Sequence, residues 1–288
     1  MKVGFVNIFG RPNAGKSTLL NTLIAEKLAI VSPKAQTTRH RIKAILNEPG
    51  YQVIFSDTPG IIEPKYKLHE KMMKAVKNAL EDADLGLLLV DITDDWKVSN
   101  EIFTALRLSV PSLVVLNKTD LVQPRTISEA TTFFSEKPYA TEVMTLSART
   151  GTGRQQLLDR VIAMLPDGEP FYSGEEISDL PTKFFVAELV REKVYELFQD
   201  EIPYHTAVTV REFTDKTTLT KIAADVVVQR ESQKAIIIGE GGKMIKKLGT
   251  QSRVEIEKFL GRKVFLELFV KVKEKWRERE DYLNEFGY

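Results

Sequence analysis

Near the start of the chain, the stretch Gly10-Arg11-Pro12-Asn13-Ala14-Gly15-Lys16-Ser17 constrains the fold more than any other. It matches G-x-x-x-x-G-K-[ST], a loop whose backbone N–H groups cradle phosphates. Val3–Phe9 before it reads as a buried strand. After it, Thr18–Glu26 reads as a helix with Leu19, Leu20, Leu23 and Ile24 as its apolar residues. Strand, glycine loop and helix start together make an anion site, because the turn aims N–H groups inward and the helix adds its positive end. In that setting Lys16 reaches the β- and γ-phosphates, the Ser17 hydroxyl ligates Mg²⁺, and Thr18 joins the same nucleotide site. Without those flanks the pattern is only a glycine turn.

Further along, buried apolar runs alternate with helical spacings. Ile42–Asn47 and Tyr51–Ser56 read as a hairpin, Leu68–Leu80 as a helix, and Leu85–Val90 and Ser112–Leu116 as buried strands. Helices over Ile102–Leu108, Ile127–Phe134 and Leu157–Leu165, with a strand at Val143–Leu146, complete the pattern. Such alternation predicts an α/β fold, a mostly parallel sheet with helices on both faces. Each polar motif falls just past a strand, where open sheets of this class bind ligands.

Three such motifs stand out. Asp57-Thr58-Pro59-Gly60 supplies a carboxylate for Mg²⁺, and Gly60 lets a backbone N–H approach a γ-phosphate. Asn117-Lys118-Thr119-Asp120 selects the base. Guanine presents N1–H and N2–H₂ as neighbouring donors, which an ionised Asp120 accepts. Adenine offers a lone pair there and is rejected. The Lys118 stem covers the base, and Ser147-Ala148-Arg149 offers an N–H to guanine O6. The short third motif carries weight only with the other two.

Composition narrows the rest. Among 288 residues, 41 Lys and Arg stand against 40 Asp and Glu, so nucleic-acid or membrane binding needs a local patch. There is no cysteine, which excludes disulfides and thiolate chemistry and fits a reducing, cytoplasmic setting. His40, His69 and His205 show no metal-ligand spacing. Asn7 interrupts the first apolar run and no small-residue cleavage site precedes the glycine loop, so a secretory leader is not expected.

Pro166–Pro181, rich in proline, glycine and acid, reads as a linker. Beyond it come an amphipathic helix over Thr182–Gln199, strands over Thr206–Phe213 and Leu219–Gln229, and a helix over Ser232–Ile238. Gly239-Glu240-Gly241-Gly242 breaks that helix, and another follows over Lys243–Leu260. A strand over Val264–Val272 and a charged helical tail over Lys273–Tyr288 close the chain. This α+β order resembles a KH domain of the bacterial type, whose G-x-x-G turn clamps about four nucleotides. Arg230, Lys234, Lys243, Lys246, Lys247 and Arg253 form a local basic excess over Glu231 and Glu240. We place the RNA contacts at Gly239–Lys243, Lys246, Lys247, Arg230 and Arg253. Outside this element order, the turn would be a helix cap and the lysines a solvated face.

The first 165 residues resemble a translation-factor-class GTPase domain. With G-R-P-N-A-G-K-S, Q-T-T-R-H-R and I-I-G-E-G-G-K in one chain, the whole resembles the Era family closely. The resemblance implies GTPase activity with GTP and GDP as ligands and Mg²⁺ as cofactor. It also implies the 3′ end of small-subunit ribosomal RNA as partner, in 30S assembly. The expected domains are 1–165 for the GTPase, 166–181 for the linker and 182–288 for the KH domain, in a monomer. In the GTPase frame Ser32–Ile42 is the first switch. Thr37 and Thr38 both qualify as its metal-closing threonine; related families keep the threonine directly before an arginine, which favours Thr38. Asp57–Lys67 is the second switch. Ile61 stands where Ras-like proteins keep a water-orienting glutamine. Some GTPases with that departure use a monovalent cation held by an asparagine at the position of Asn13. K⁺ or a partner would then stimulate slow hydrolysis; otherwise Asn13 is a turn residue. Arg39, His40 and Arg41 could also approach the phosphates. The expected catalytic set is Lys16, Thr38, Gly60 and Asn13, and the metal set Ser17, Thr38 and Asp57. The rival readings are a guanine-nucleotide sensor with a protein partner and weak peripheral membrane contact through the tail.

Overall fold

Buried apolar runs become the strands of two separate sheets. The computed structural model describes residues 1–288 and divides into two compact units. The first comprises residues 1–29, 38–64 and 71–179; the second comprises 30–37, 65–70 and 180–288.

In chain order the first sheet and its helices are β1 (Lys2–Gly10), α1 (Lys16–Ile24), β2 (Ile42–Glu48), β3 (Tyr51–Asp57), α2 (Lys67–Glu81), β4 (Leu85–Asp91), α3 (Trp96–Leu106), β5 (Ser112–Asn117), α4 (Pro124–Ser135), β6 (Glu142–Thr145) and α5 (Arg154–Met164). The sheet order is β2-β3-β1-β4-β5-β6. Every neighbouring pair is parallel except β2 with β3. Strands β4 and β5 are buried almost end to end, as a sheet covered on both faces requires. Phe9, Leu88, Val90, Phe103, Val114 and Phe134 share one core cluster. Asn7, the polar residue inside β1, is fully buried and satisfied; its amide donates to the Ala79 carbonyl and the Asp82 carboxylate.

The segment expected to be a linker is hydrogen-bonded to the first unit through Asp179. Gln52, fully buried, accepts from the N–H groups of Phe171 and Tyr172 at 2.7 and 3.1 Å. Ile45 N–H donates to the Ile177 carbonyl at 3.0 Å, and Lys43 pairs with Asp179 at 3.1 Å. Strand β2 is the edge of the sheet, and this segment satisfies part of that edge. Proline, glycine and acid content, from which the segment reads as a linker, says nothing of this docking.

The second unit holds α6 (Thr182–Leu197), α7 (Ile202–His205), β7 (Ala207–Asp215), β8 (Thr220–Val228), α8 (Glu231–Ile238), α9 (Lys243–Leu260), β9 (Val264–Val272) and α10 (Glu280–Glu285). Its three strands run β7-β8-β9, antiparallel then parallel. Val186, Val190 and Val194 of α6, Ile237 of α8, and Leu248 and Ile256 of α9 pack with Ile222, Val226 and Val228 of β8.

Two expectations fail here. The tail is not one charged helix: a 3₁₀ turn at Trp276–Glu278 precedes the short α10. Trp276 is fully buried, donates from Nε1 to the His205 carbonyl at 2.9 Å and packs against Phe286 and Tyr288. Burial of this one indole overrides the charge pattern around it. Nor is α6 half-exposed. Every residue from Phe185 to Tyr195 is buried, Glu188, Arg191, Glu192 and Lys193 included.

Candidate nucleotide site and nucleic-acid loop

The ends of β1, β3 and β5 carry Gly10, Asp57 and Asn117, so one edge of the sheet presents all three motifs. The turn after β1 needs its glycines. Gly15 has φ 97°, and a Cβ there would lie 2.3 Å from Asn117 Nδ2. A Cβ on Gly10 would lie 2.6 Å from the Leu89 carbonyl oxygen. Asn13 is exposed, also with a positive φ of 64°, a conformation asparagine tolerates well. Arg11 points to Asp94, its Nη1 2.7 Å from Oδ2. Ala14 is buried.

Lys16 is buried, and its Nζ donates to the Gly10 and Arg11 carbonyls at 3.1 and 2.9 Å. Burial lowers its pKa to about 8, with Asp57 acting in the opposite sense. Asp57 is itself pushed up by burial, against the pull of Lys16 and the hydrogen bonds of Ser17 and Thr38. Ser17 Oγ donates to Asp57 Oδ2 at 2.6 Å, and Thr38 Oγ1 lies 2.8 Å from Ser17 Oγ and 3.1 Å from Asp57 Oδ2. Two hydroxyls and a carboxylate thus converge at one point. Asp57 Oδ1 is buried with no hydrogen-bond partner. An orphaned carboxylate oxygen beside converging hydroxyls is an oxygen-only donor set of the kind that fits Mg²⁺. Thr37 is not part of this cluster; its hydroxyl donates to the Lys34 carbonyl at 2.7 Å.

Past Asp57, Thr58 Oγ1 donates to the Ile8 carbonyl at 2.7 Å, and Pro59 is buried. Gly60 lies close to Pro12, where a Cβ would come within 2.9 Å of three Pro12 atoms. Ile61 turns its side chain onto the apolar core of the first unit. Arg41 is occupied elsewhere: its guanidinium bonds Ser56 and pairs with Asp82, so it is not a phosphate ligand here. Arg39 is buried at 2% exposure.

At the end of β5, Asn117 is buried and joins two loops, donating to the Ala14 carbonyl at 2.8 Å and accepting from the Ala148 N–H at 2.9 Å. Within Ser147–Arg149, the motif expected to offer an N–H to guanine O6, the Ala148 N–H is held by Asn117 and the Ser147 N–H donates to the Thr152 carbonyl at 3.0 Å. Lys118 adopts φ 66° and pairs its ammonium with Asp91. Thr119 Oγ1 donates to the Leu146 carbonyl at 2.9 Å. Asp120 accepts from Ser147 Oγ at 2.7 Å and from Arg149 Nη2 at 2.9 Å. The Ser147 hydrogen bond is the main cause of its lowered pKa, so the carboxylate stays ionised for a donor pair.

In the second unit the glycine turn between α8 and α9 is tight. Gly239, Gly241 and Gly242 have φ of 69°, 56° and 75°. The N–H groups of Gly239 and Gly242 are used inside the turn, on the Ala235 and Gly239 carbonyls. Glu240 and Gly241 are exposed at its tip, and Lys243, Lys246 and Lys247 are exposed on the first turns of α9. Lys246 and Arg253 line a groove with Ile245, Gly249 and Thr250 of α9 and Phe265, Leu266 and Leu268 of β9. Arg230 is set apart: it caps the far end of α8, about 12 Å from the turn by helical rise. Sequence reasoning missed Phe265, which is 52% exposed; its place in β9, out of phase with Val264, Leu266 and Leu268, is the signal that could have found it.

Comparisons with known proteins agree with this geometry. Residues 5–118 match the family model described as 50S ribosome-binding GTPase, and residues 201–277 match that of the KH domain. GTPase Era of Geobacter sp. (strain M21) is 45% identical over 288 residues, 99% of this chain and 97% of that protein. The chloroplastic GTPase ERA-like protein of Oryza sativa subsp. japonica is 42% identical, covering 99% of this chain and 69% of its own length. A crystal structure of Era with MgGDPNP and nucleotides 1506–1542 of 16S ribosomal RNA superposes with a TM-score of 0.96. It is 40% identical and covers 100% of this chain and 99% of its own. With a nucleotide-type glycine loop and a KH-type turn in one chain, and identity sustained over 99% of its length, this chain belongs to the Era family of GTPases.

Proposed function

We propose that this chain hydrolyses GTP to GDP and phosphate and binds the 3′ end of 16S ribosomal RNA through its KH-type unit, acting in small-subunit assembly. The observation that carries the first half is the convergence of Ser17, Thr38 and Asp57 beside buried Lys16, with one Asp57 oxygen orphaned. Ser17 and Thr38 would hold Mg²⁺ through their hydroxyls, with Asp57 acting directly or through water. The ion would neutralise negative charge on the phosphates as the bond breaks. Lys16 would leave the Gly10 and Arg11 carbonyls for those phosphates. Gly60 would present its N–H to the γ-phosphate, where a side chain would crowd Pro12. Asp120 would accept from guanine N1–H and N2–H₂. Asn13 would hold K⁺ or merely turn the loop. Water attacks the γ-phosphorus, the bond to the bridging oxygen breaks, and GDP and phosphate leave. Ile61, packed into the core, is no orienter of that water, so the intrinsic rate is slow.

The second half is supported by the Era complex with 16S nucleotides at a TM-score of 0.96 and by the exposed lysines flanking the glycine turn. Single-stranded RNA would run along the groove, its phosphates on the turn and on Lys243, Lys246, Lys247 and Arg253, its bases against Phe265. No helix is long and apolar enough to cross a membrane. The chain's likeness to GTPase Era proteins supports a cytoplasmic setting on the ribosomal subunit.

Crosslinking the GTP-analogue form to total cellular RNA tests this reading. The control carries Glu240→Asp with Gly241→Asp. Both residues are exposed at the tip, and aspartate tolerates the φ of 56° at Gly241. Enrichment of one small-subunit segment, lost in the variant, is the expected result. No enrichment above background rejects the RNA role and leaves a nucleotide switch with a protein partner.

A further inference from the structure

The charged residues buried on α6 require an explanation that folding alone does not supply. Arg191 is 1% exposed and Glu188 6% exposed. The guanidinium meets this carboxylate with two nitrogens, Nε at 2.7 Å from Oε1 and Nη2 at 2.5 Å from Oε2. Burying such a pair carries a desolvation penalty, and an apolar pair of similar volume commonly serves stability as well. The pair also does something an apolar pair could not: Arg191 Nη2 donates to the backbone carbonyl of Thr37 at 2.5 Å.

That carbonyl belongs to the segment 30–37, which clusters with the second unit and is held to α6 at several points. Val31 N–H donates to Glu192 Oε1 at 3.1 Å, and Tyr195 OH donates to the Gln36 carbonyl at 3.0 Å. Lys34 Nζ donates to the Phe198 carbonyl at 2.5 Å. Arg191 is the contact nearest in sequence to Thr38, the threonine bonded to Ser17 and Asp57.

The 37–38 peptide is trans, as are all peptides of the chain. In a trans peptide C=O and N–H point in opposite directions within one plane. Fixing the Thr37 carbonyl on Arg191 therefore fixes the direction of the Thr38 N–H. We propose that Arg191, oriented by Glu188, is a positioning residue for GTP hydrolysis: it sets the Thr37–Thr38 peptide so that the Thr38 N–H faces the γ-phosphate when its hydroxyl closes on the metal. The proposal rests on the reading of Thr38 as the metal-closing threonine. GDP has no γ-phosphate, so Arg191 acts on GTP and not on GDP. By linkage, GTP then tightens the grip of α6 on the switch by the factor that α6 tightens GTP.

The test uses the full chain with GDP, a non-hydrolysable GTP analogue and GTP turnover. Arg191→Met alone leaves Glu188 buried without its partner and risks unfolding, so the decisive variant is Arg191→Met with Glu188→Met, which removes both charges. The double variant should keep its Tm and its GDP Kd within about twofold. Its GTP-analogue affinity and kcat should each fall about tenfold, the scale of one lost charge-assisted hydrogen bond. Arg191→Lys, which can still reach one carbonyl, should restore part of the loss. A folded double variant with wild-type kcat and an unchanged GTP-to-GDP affinity ratio overturns the proposal. Thr38→Ala separates the two failures. If Thr38→Ala collapses that ratio while the double variant does not, only the role of Arg191 falls. If neither changes it, the reading of Thr38 falls and the proposal with it.

Discussion

The side-chain amide of Asn117 donates to the backbone carbonyl of Ala14 at 2.8 Å across 103 residues of sequence. Its other end accepts from the Ala148 N–H, so one buried amide ties the phosphate loop to both base-side loops. Truncating it strands two buried backbone groups, each worth about 1–3 kcal/mol when unsatisfied. Asn117→Ala should lower the Tm of the nucleotide-free protein and weaken GDP at least tenfold. An unchanged Tm would mean that water replaces both contacts.

Asp120 should decide the base by its acceptor pair. Asp120→Asn replaces one acceptor with a donor, which opposes guanine N2–H₂ and suits a base with a carbonyl at C2. We expect GTP affinity to fall about a hundredfold or more and xanthosine triphosphate to gain, since a polar site rejects the mismatched edge strongly. Competition binding with both triphosphates measures this directly. Equal losses for both would show that the residue supports the loop, through Ser147 and Arg149, without reading the base.

Lys16 predicts a pH dependence of definite sign. Its pKa is lowered by burial to about 8, below the ordinary lysine value. Between those two values the unfolded chain binds the proton more tightly than the folded one. The lysine's contribution to stability therefore rises with pH across that window in the nucleotide-free protein. Binding a polyphosphate raises the folded pKa again, so nucleotide binding takes up a proton above pH 8. GDP affinity should be flat from pH 6.5 to about 8, then fall by up to tenfold per pH unit. Isothermal titration in two buffers of different ionisation enthalpy counts the proton. A flat profile to pH 9.5 refutes the lowered value.

Much of this was legible in residue order, and the reasons for the rest are physical. The six-stranded sheet, the site at its strand ends and the KH-type turn all follow from local patterns: apolar runs, glycines at positive φ and element order. The choice between Thr37 and Thr38 rested on resemblance alone, the arginine after Thr38, because both are hydroxyls in an aperiodic loop; the fold brings Thr38 to Asp57 and turns Thr37 to the Lys34 carbonyl. The burial of Glu188 and Arg191 ran against composition, since a carboxylate and a guanidinium three residues apart ordinarily read as a solvated helix face. Trp276 was hidden among charges, and Gln52 gave no sign that it would anchor the segment after Pro166.

Asn13 separates two sources of catalysis. It is exposed at a left-handed turn, so replacing its side chain leaves the core undisturbed. If it holds K⁺, turnover at saturating Mg²⁺ should be severalfold faster in K⁺ than in Na⁺, and Asn13→Ala should abolish the difference while leaving GDP affinity nearly intact. Phosphate release measured in both salts decides. Equal rates together with no loss in the variant reduce Asn13 to a turn residue, and activation must then come from a partner.

The RNA groove should announce itself through salt. Lys246 and Arg253 line it, whereas Arg230 lies at the other end of α8. A phosphate contact releases counterions, so for a single strand each one contributes about −0.7 to the slope of log K against log salt. Lys246→Ala and Arg253→Ala should each weaken binding of a short 16S 3′-end RNA and make that slope shallower by about 0.7, with little change in sequence preference. Phe265→Ala should behave differently. It removes a stacking surface, worth about 1–3 kcal/mol per base, and should leave the slope unchanged. Arg230→Ala should alter neither affinity nor slope appreciably. Fluorescence anisotropy at four salt concentrations distinguishes these cases. If Arg230→Ala instead gives the largest change in slope, the RNA path runs along α8 and not through the groove between α9 and β9.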